Sequence, residues 1–138
     1  PAILSYPAKI PSGEVRNQIV TAMDWYPTIL ELCNVKPTPQ SPAIDGFSVL
    51  PICNSANTSS PYKGILHFHW GSTWAVRDGN WKLIGADGKQ NYQLVSLTDE
   101  KPETINHAKD KPELVKRLLK SHQDWYSSVK PANPTSTK

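Results

Sequence analysis

The spacing of apolar residues changes character along the chain, and the change predicts the elements. Between Trp74 and Leu83, apolar and polar positions alternate: Trp74 and Val76 precede Asp78-Gly79, and Trp81 and Leu83 follow it. A period of two marks a half-buried strand. Asp-Gly favours the positive φ values of a type I′ turn, so two antiparallel strands hinged on Asp78-Gly79 are expected. Residues 64–70 read as a strand before this hairpin, and Asp87-Gly88 as a turn leading to a fourth strand over 92–97. From Leu114 the period becomes helical. Leu114, Leu118, Trp125 and Val129 share one face, flanked by Val115, Leu119 and Tyr126. Asp110-Lys111-Pro112-Glu113 has the form of a capping box, with an acidic cap, Pro in the first turn and Glu three after the cap. Pro131 ends this helix.

The first half is patterned differently. Ala2-Ile3-Leu4-Ser5-Tyr6, closed by Pro7, reads as a short buried strand. Residues 15–23 suit either a helix or an extended segment. Asp24 is placed to cap the free N–H groups of a helix starting at Trp25. Pro27 then falls in the first turn, where its missing N–H is harmless. Deep inside a helix it costs about 3 kcal/mol, which argues against one helix from Val15 to Asn34. Ile29, Leu30, Leu32 and Cys33 give the helix an apolar side. After a Pro-rich connection over 37–42 and a turn at Asp45-Gly46, Phe47, Val49, Leu50 and Ile52 dock a short irregular segment. Residues 54–61 form a polar surface loop, and residue 60 marks the expected boundary. The expected organisation is a strand–helix segment with a Pro-rich connection over 1–60, a small unit over 61–130 and a disordered tail over 131–138. The fold class is α+β: a four-stranded antiparallel sheet packed against a long C-terminal helix, preceded by the strand–helix segment.

Composition narrows this picture. A chain of 138 residues fits one ordinary domain, and five Trp and five Tyr compensate for a hydrophobic content of 38%. The 13 Pro cluster in connections and at the end, so they punctuate the chain rather than dissolve it. A net charge of +3 is too mild for nucleic acid, and no Lys/Arg stripe interleaves with the aromatics. No run of about 18 apolar residues offers a membrane span, and no signal peptide is expected within these residues. The chain opens at Pro1 inside an expected strand, so a fragment of something longer, or a processed product, is expected. Cys33 and Cys53 could pair once, but Cys33 on an apolar helix face is read as a small buried hydrophobe.

Several runs together resemble the C-terminal region of sulfatases, the arylsulfatase type of the alkaline phosphatase superfamily. Residues 1–10 are similar to that family's strand ending in Trp-Pro-Gly-x-Ile, with Tyr6 and Ala8 as departures. Asp24-Trp25-Tyr26-Pro27-Thr28-Ile29-Leu30 resembles its Asp-Leu-x-Pro-Thr-Leu-Leu helix start, and Asp45-Gly46-Phe47-Ser48-Val49-Leu50-Pro51 its Asp-Gly-x-Ser-Leu-x-Pro segment. The central hairpin matches Ala-Val-Arg-x-Gly-x-Trp-Lys-Leu. Residues 97–108 resemble Leu-x-x-Asp-Pro-x-Glu-x-x-Asn-Leu-Ala, with Lys101 and His107 departing. The resemblance implies that residues 1–60 close a larger α/β sulfatase domain and that 61–130 form its small C-terminal subdomain.

It also implies what the chain lacks. Sulfatases make a formylglycine from the Cys of Cys-x-Pro-x-Arg, whereas Cys33 precedes Asn-Val-Lys-Pro and Cys53 precedes Asn-Ser-Ala-Asn. The family's calcium ligands, and the Lys and His that hold the sulfate, lie upstream of this region. No catalytic residue and no metal site is therefore expected here, and calcium belongs to the intact enzyme. The implied role is structural, lining one side of the substrate cleft of a sulfuric ester hydrolase that acts on a sulfated small molecule or glycan. The implied setting is periplasmic, secreted or lysosomal. The expected partner is the remainder of the sulfatase chain, or a second copy, with neither nucleic acid nor membrane.

The candidate contacts to substrate are His67, His69, Trp70, Trp74 and Arg77. His67 and His69 share one face of a strand, a spacing that also suits a metal, although no third ligand lies nearby in sequence. The ordinary alternative is two half-buried histidines beside core aromatics. Arg77 and Lys82 could attract an anion or simply form a solvated cross-strand face. Trp81 and Trp125 are read as core, and Asp99, Glu100 and Glu103 as a solvated acidic loop. Asn57-Thr58-Ser59 is a possible glycosylation site, or an unmodified loop. The competing function is a free-standing carbohydrate-binding or interaction module, which needs two or more Trp rings coplanar on an open sheet face.

Overall fold

Three helices and four strands form within residues 2–129, the part of the chain described by this computed structural model. In chain order they are α1 (Trp25–Leu32), α2 (Leu50–Asn54), β1 (Leu66–Trp70), β2 (Thr73–Asp78), β3 (Trp81–Ala86), β4 (Gln93–Ser96) and α3 (Pro112–Val129). The expected tail and the stop at Pro131 lie outside the described residues. The chain divides between Lys63 and Gly64 into two compact units.

In the second unit the strands form an antiparallel sheet in the order β1-β2-β3-β4. Alternation sends Trp74, Val76, Leu83 and Leu94 to one face, where Leu118 of α3 packs on them. The central hairpin forms, but one residue further on than expected. Asp78 pairs with Trp81, so Gly79-Asn80 is the loop, and the positive φ of 56° is taken by Gly79. That pattern belongs to a type II′ turn, which asks for Gly first, rather than to a I′ turn centred on Asp78-Gly79.

The partner of Trp74 explains the register. Trp74 lies opposite Gly85, and a Cβ on Gly85 would come within 2.3 Å of the indole. A turn at Asp78-Gly79 would instead set Trp74 against Leu83, with no room for the ring. Gly85→Ala is accordingly expected to destabilise the sheet by about 1–3 kcal/mol through overpacking, read as a lowered urea midpoint. An unchanged midpoint would show that the indole has another place to go.

The outer edge of β4 is covered by the segment that follows it: Leu94 N–H donates to Asn106 Oδ1 at 3.0 Å, and Leu94 O accepts from His107 N–H at 2.7 Å. α3 starts at Pro112, which takes the first helical position, so Lys111 rather than Asp110 stands at the cap. Arg117 Nη2 reaches Asp78 Oδ2 at 2.6 Å and ties the helix to the end of the central hairpin. Val129, expected on the buried face, is exposed; the sheet-facing row runs through Leu118 and His122 instead.

The first unit departs further from the pattern. No strand forms over 2–6, and Ile3 is 93% exposed. A strand needs a neighbour, and these residues find none in the described structure. A short 3₁₀ turn over Ala22–Asp24 leads into α1. The helix begins at Trp25 as expected, yet the Asp24 carboxylate does not cap it. An N-cap side chain binds the second or third helical N–H. The third position here is Pro27, which has none, and Asp24 itself has helical backbone angles.

α1 ends in a Schellman motif: Val35 N–H donates to Leu30 O, Asn34 N–H donates to Glu31 O, and Asn34 has a φ of 54°. Cys33 becomes the C-cap and is exposed, not the buried hydrophobe expected of it; both cysteines are free thiols. The segment expected to be irregular after Phe47 is the one-turn helix α2, with Pro51 in its first turn and Leu50 and Ile52 buried.

Candidate functional site

β1 carries the chemistry-bearing run, and its period of two splits that run between two faces. His67 and His69 point to α3, whereas Phe68 and Trp70 point to the opposite face. On the helix side, His67 stacks on Trp125 (ring centroids 4.9 Å) and His69 on Tyr126 (4.5 Å). His122, four residues beyond Leu118 on α3, stacks on Trp74 at 4.3 Å and lies 6.0 Å from His67 and 5.9 Å from His69. The layer is thus a set of stacked and tilted rings, three of them imidazoles.

Its electrostatics follow from burial. His67 Nδ1, His69 Nε2 and His122 Nδ1 are buried without a hydrogen-bond partner. His69 Nε2 lies 3.5 Å from Asp87 Oδ2, close enough to feel that charge but without hydrogen-bond geometry. Burial holds His67 below the usual histidine value of 6.5. Burial also lowers His122, aided by His67 and His69 and opposed by Asp87. Among the described residues, no three His, Cys, Asp or Glu side chains converge to hold a metal ion. The arrangement does not fit a cation, calcium included.

The other candidates are scattered. Trp74 is 5% exposed and belongs to the core. Trp70, the last residue of β1, is 88% exposed. The turn beside it is braced by Asp87 N–H, which donates to Ser72 O at 2.8 Å. Arg77 shares the face of Trp70 but sits about 13 Å away along the strands. Its Nε donates to Gly79 O at 3.1 Å. Lys82 pairs with Glu103 at 3.0 Å, and Asp99 lies within hydrogen-bond distance of His107 at 2.8 Å, so two of the three acidic loop residues have partners. Trp81 is half-buried between His107 and Lys111. Asn57 is exposed, while the Thr58 hydroxyl donates to Pro51 O at 3.0 Å. The first unit has a groove of about 350 Å³ beside Arg16. The guanidinium there is occupied by Ile52 O, Cys53 O and Glu14, leaving little for an incoming anion.

One site residue escaped the sequence reading altogether. His122 continues the series Leu114, Leu118 at a spacing of four, which was the available signal. A histidine in an apolar row reads as a break in the row until the rings opposite it are known.

Among known proteins, the sequence profile of the family described as "N-sulphoglucosamine sulphohydrolase, C-terminal" matches residues 1–126. Arylsulfatase K of Xenopus laevis is 29% identical over 126 residues, covering 81% of this chain and 23% of its own length. N-acetylgalactosamine-6-sulfatase of Sus scrofa is 43% identical over 51 residues, covering 37% of this chain and 10% of its own. The chain therefore spans less than a quarter of the relatives it matches. The crystal structure of Ps i-CgsB superposes with a TM-score of 0.66 at 22% identity, over 87% of this chain and 27% of that one. This likeness speaks for the fold: a four-stranded antiparallel sheet with a C-terminal helix. No helix among the described residues is long and apolar enough to cross a membrane.

Proposed function

This chain belongs to the sulfatases as a C-terminal region of that family, and from that premise we propose that it forms one side of the substrate cleft of a sulfate ester hydrolase. The reactive groups of that enzyme lie on other polypeptide. Neither cysteine here sits in a Cys-x-Pro-x-Arg context, and the histidine layer presents no nucleophile or cation to a substrate. The chain supplies shape and support rather than bond cleavage.

The observation that carries the contact role is Trp70. An indole 88% exposed at a hairpin tip offers a flat apolar face to a sugar ring or an aryl group. Of the other proposed contacts, Trp74 is enclosed, His67 and His69 are stacked beneath α3, and Arg77 is remote from Trp70. A carbohydrate sulfate is the favoured substrate class, a choice supported by the sugar sulfatase among the relatives. A periplasmic, secreted or lysosomal setting goes with the family. The first unit exposes Ile3, Val15, Met23, Tyr26 and Ile29, more apolar surface than a free-standing unit usually leaves in water. Cover by the remainder of a sulfatase chain accounts for it.

A free carbohydrate-binding module is the weaker reading, because Trp70 alone of the five Trp is exposed. The contact is tested by titrating the chain with a sulfated N-acetylgalactosamine oligosaccharide and its desulfated form. Trp fluorescence is expected to be quenched by the sulfated sugar and to lose that response in Trp70→Ala. The substitution itself should move stability by no more than about 0.5 kcal/mol, as for an exposed side chain. Absence of quenching, or quenching undiminished in Trp70→Ala, would remove Trp70 from the contact. Turnover of an aryl sulfate by the chain alone would overturn the division of labour.

A further inference from the structure

Three imidazoles sit where a sheet–helix layer ordinarily holds hydrocarbon. β1 contributes His67 and His69, and α3 contributes His122, Trp125 and Tyr126. β2 contributes Trp74, and the turn after β3 contributes Asp87, the carboxylate that faces the layer. Each imidazole keeps one ring nitrogen out of reach of water and without a hydrogen-bond partner. A neutral ring tolerates such a position, whereas a charged ring there needs solvent or a counter-charge. Asp87 stands 3.5 Å from His69 and is itself half exposed, so it answers one charge at most. Among the described residues, His67 and His122 have no carboxylate within ion-pair distance, and each would repel the other across 6.0 Å when both are charged.

We propose that this layer is an acid-operated latch: α3 stays docked along β1 while His67 and His122 are uncharged, and acidification releases the C-terminal half of the helix from the sheet. The unpaired nitrogens of His67 and His122 are enclosed, so a charge on either ring is stabilised by water only once the helix lifts. The N-terminal half of α3 is held by other means, with Leu118 in the apolar core and Arg117 on Asp78, and stays in place. The sign follows from the docked state. Burial lowers His67 and His122 from 6.5, while a released imidazole returns to about that value. The released form therefore binds more protons below pH 6.5. Docking weakens as pH falls through 6.5, and the loss levels off once pH is below the docked-state values. Above 6.5 these groups contribute no pH dependence.

Hydrogen exchange along α3 in the full 138-residue chain tests the latch, measured from pH 7.5 to 5.0 and corrected for intrinsic rates. Protection over residues 122–129 is expected to fall by roughly tenfold for each pKa unit of depression, while protection over 114–119 stays nearly constant. His122→Phe keeps a ring on Trp74 but cannot charge, and should flatten the response. His67→Phe does the same beside Trp125 and decides the matter if the first variant folds poorly. The latch is overturned by equal protection of both halves across the range, by uniform loss over the whole chain, or by a wild-type pH response in both variants.

Discussion

Asp24→Ala is expected to cost the first unit about 3–5 kcal/mol, enough to unfold much of it at room temperature. Asp24 is 1% exposed, and its carboxylate joins three separate segments. Oδ2 accepts from Thr21 N–H at 2.6 Å; Oδ1 accepts from Phe47 N–H at 2.8 Å and from the Tyr62 hydroxyl at 2.5 Å. Removing the acceptor strands these donors, at about 1–3 kcal/mol for each one left buried and unpaired. Asp24→Asn keeps the volume and part of the accepting capacity, so its loss should be smaller.

Burial pushes the Asp24 carboxyl up, but the hydrogen bonds from Tyr62, Phe47 and Thr21 together outweigh burial and hold it below 3.8. Its stabilisation is full above pH 3.8 and is lost as pH falls through the lower folded value. That window is well separated from the one near 6.5 that governs α3. Urea unfolding read at the adjacent Trp25 checks the substitution; an unchanged midpoint would mean that the three segments hold together without this carboxylate.

Leu118→Ala is the counterpart in the second unit and should cost about 2–5 kcal/mol. Leu118 is fully buried and meets Val76, Leu83 and Leu94 at the centre of the sheet, where a cavity cannot be filled from solvent. The sequence alone places Leu118 and Trp125 together on the buried face of the helix. Trp125 is only half-buried and stacks on His67, so Trp125→Ala should cost less than the same truncation at Leu118. A smaller loss at Leu118 than at Trp125, measured by thermal unfolding, would reverse this account of what holds α3.

Much of the second unit was legible because its signals are local. The alternation around Trp74 and Leu83, the Gly-containing turns and the helical period after Leu114 each depend on residues a few positions apart. Gly79 announced a turn but not its register, because two registers place the same side chains on the same face. The open space over Gly85 chose between them. The candidate site was less legible. Strand periodicity placed His67 and His69 together, and the same rule separates Trp70 from them. Nothing in β1 says which of its two faces the helix will cover. His122 was passed over because its significance lies in the rings across the layer, fifty residues away in sequence.

By itself, the sequence determined the α+β class, the antiparallel hairpins, the presence of the terminal helix and kinship with the sulfatases, since periodicity, turn residues and ordered motifs are carried by the chain alone. The tertiary structure decided what each polar group would meet. It turned the Asp24 carboxylate from a helix cap into a three-way joint, enclosed Trp74 while leaving Trp70 in water, and gathered three histidines into one dry layer. Such outcomes depend on burial and on partners brought from distant segments, and those exist only once the elements have packed.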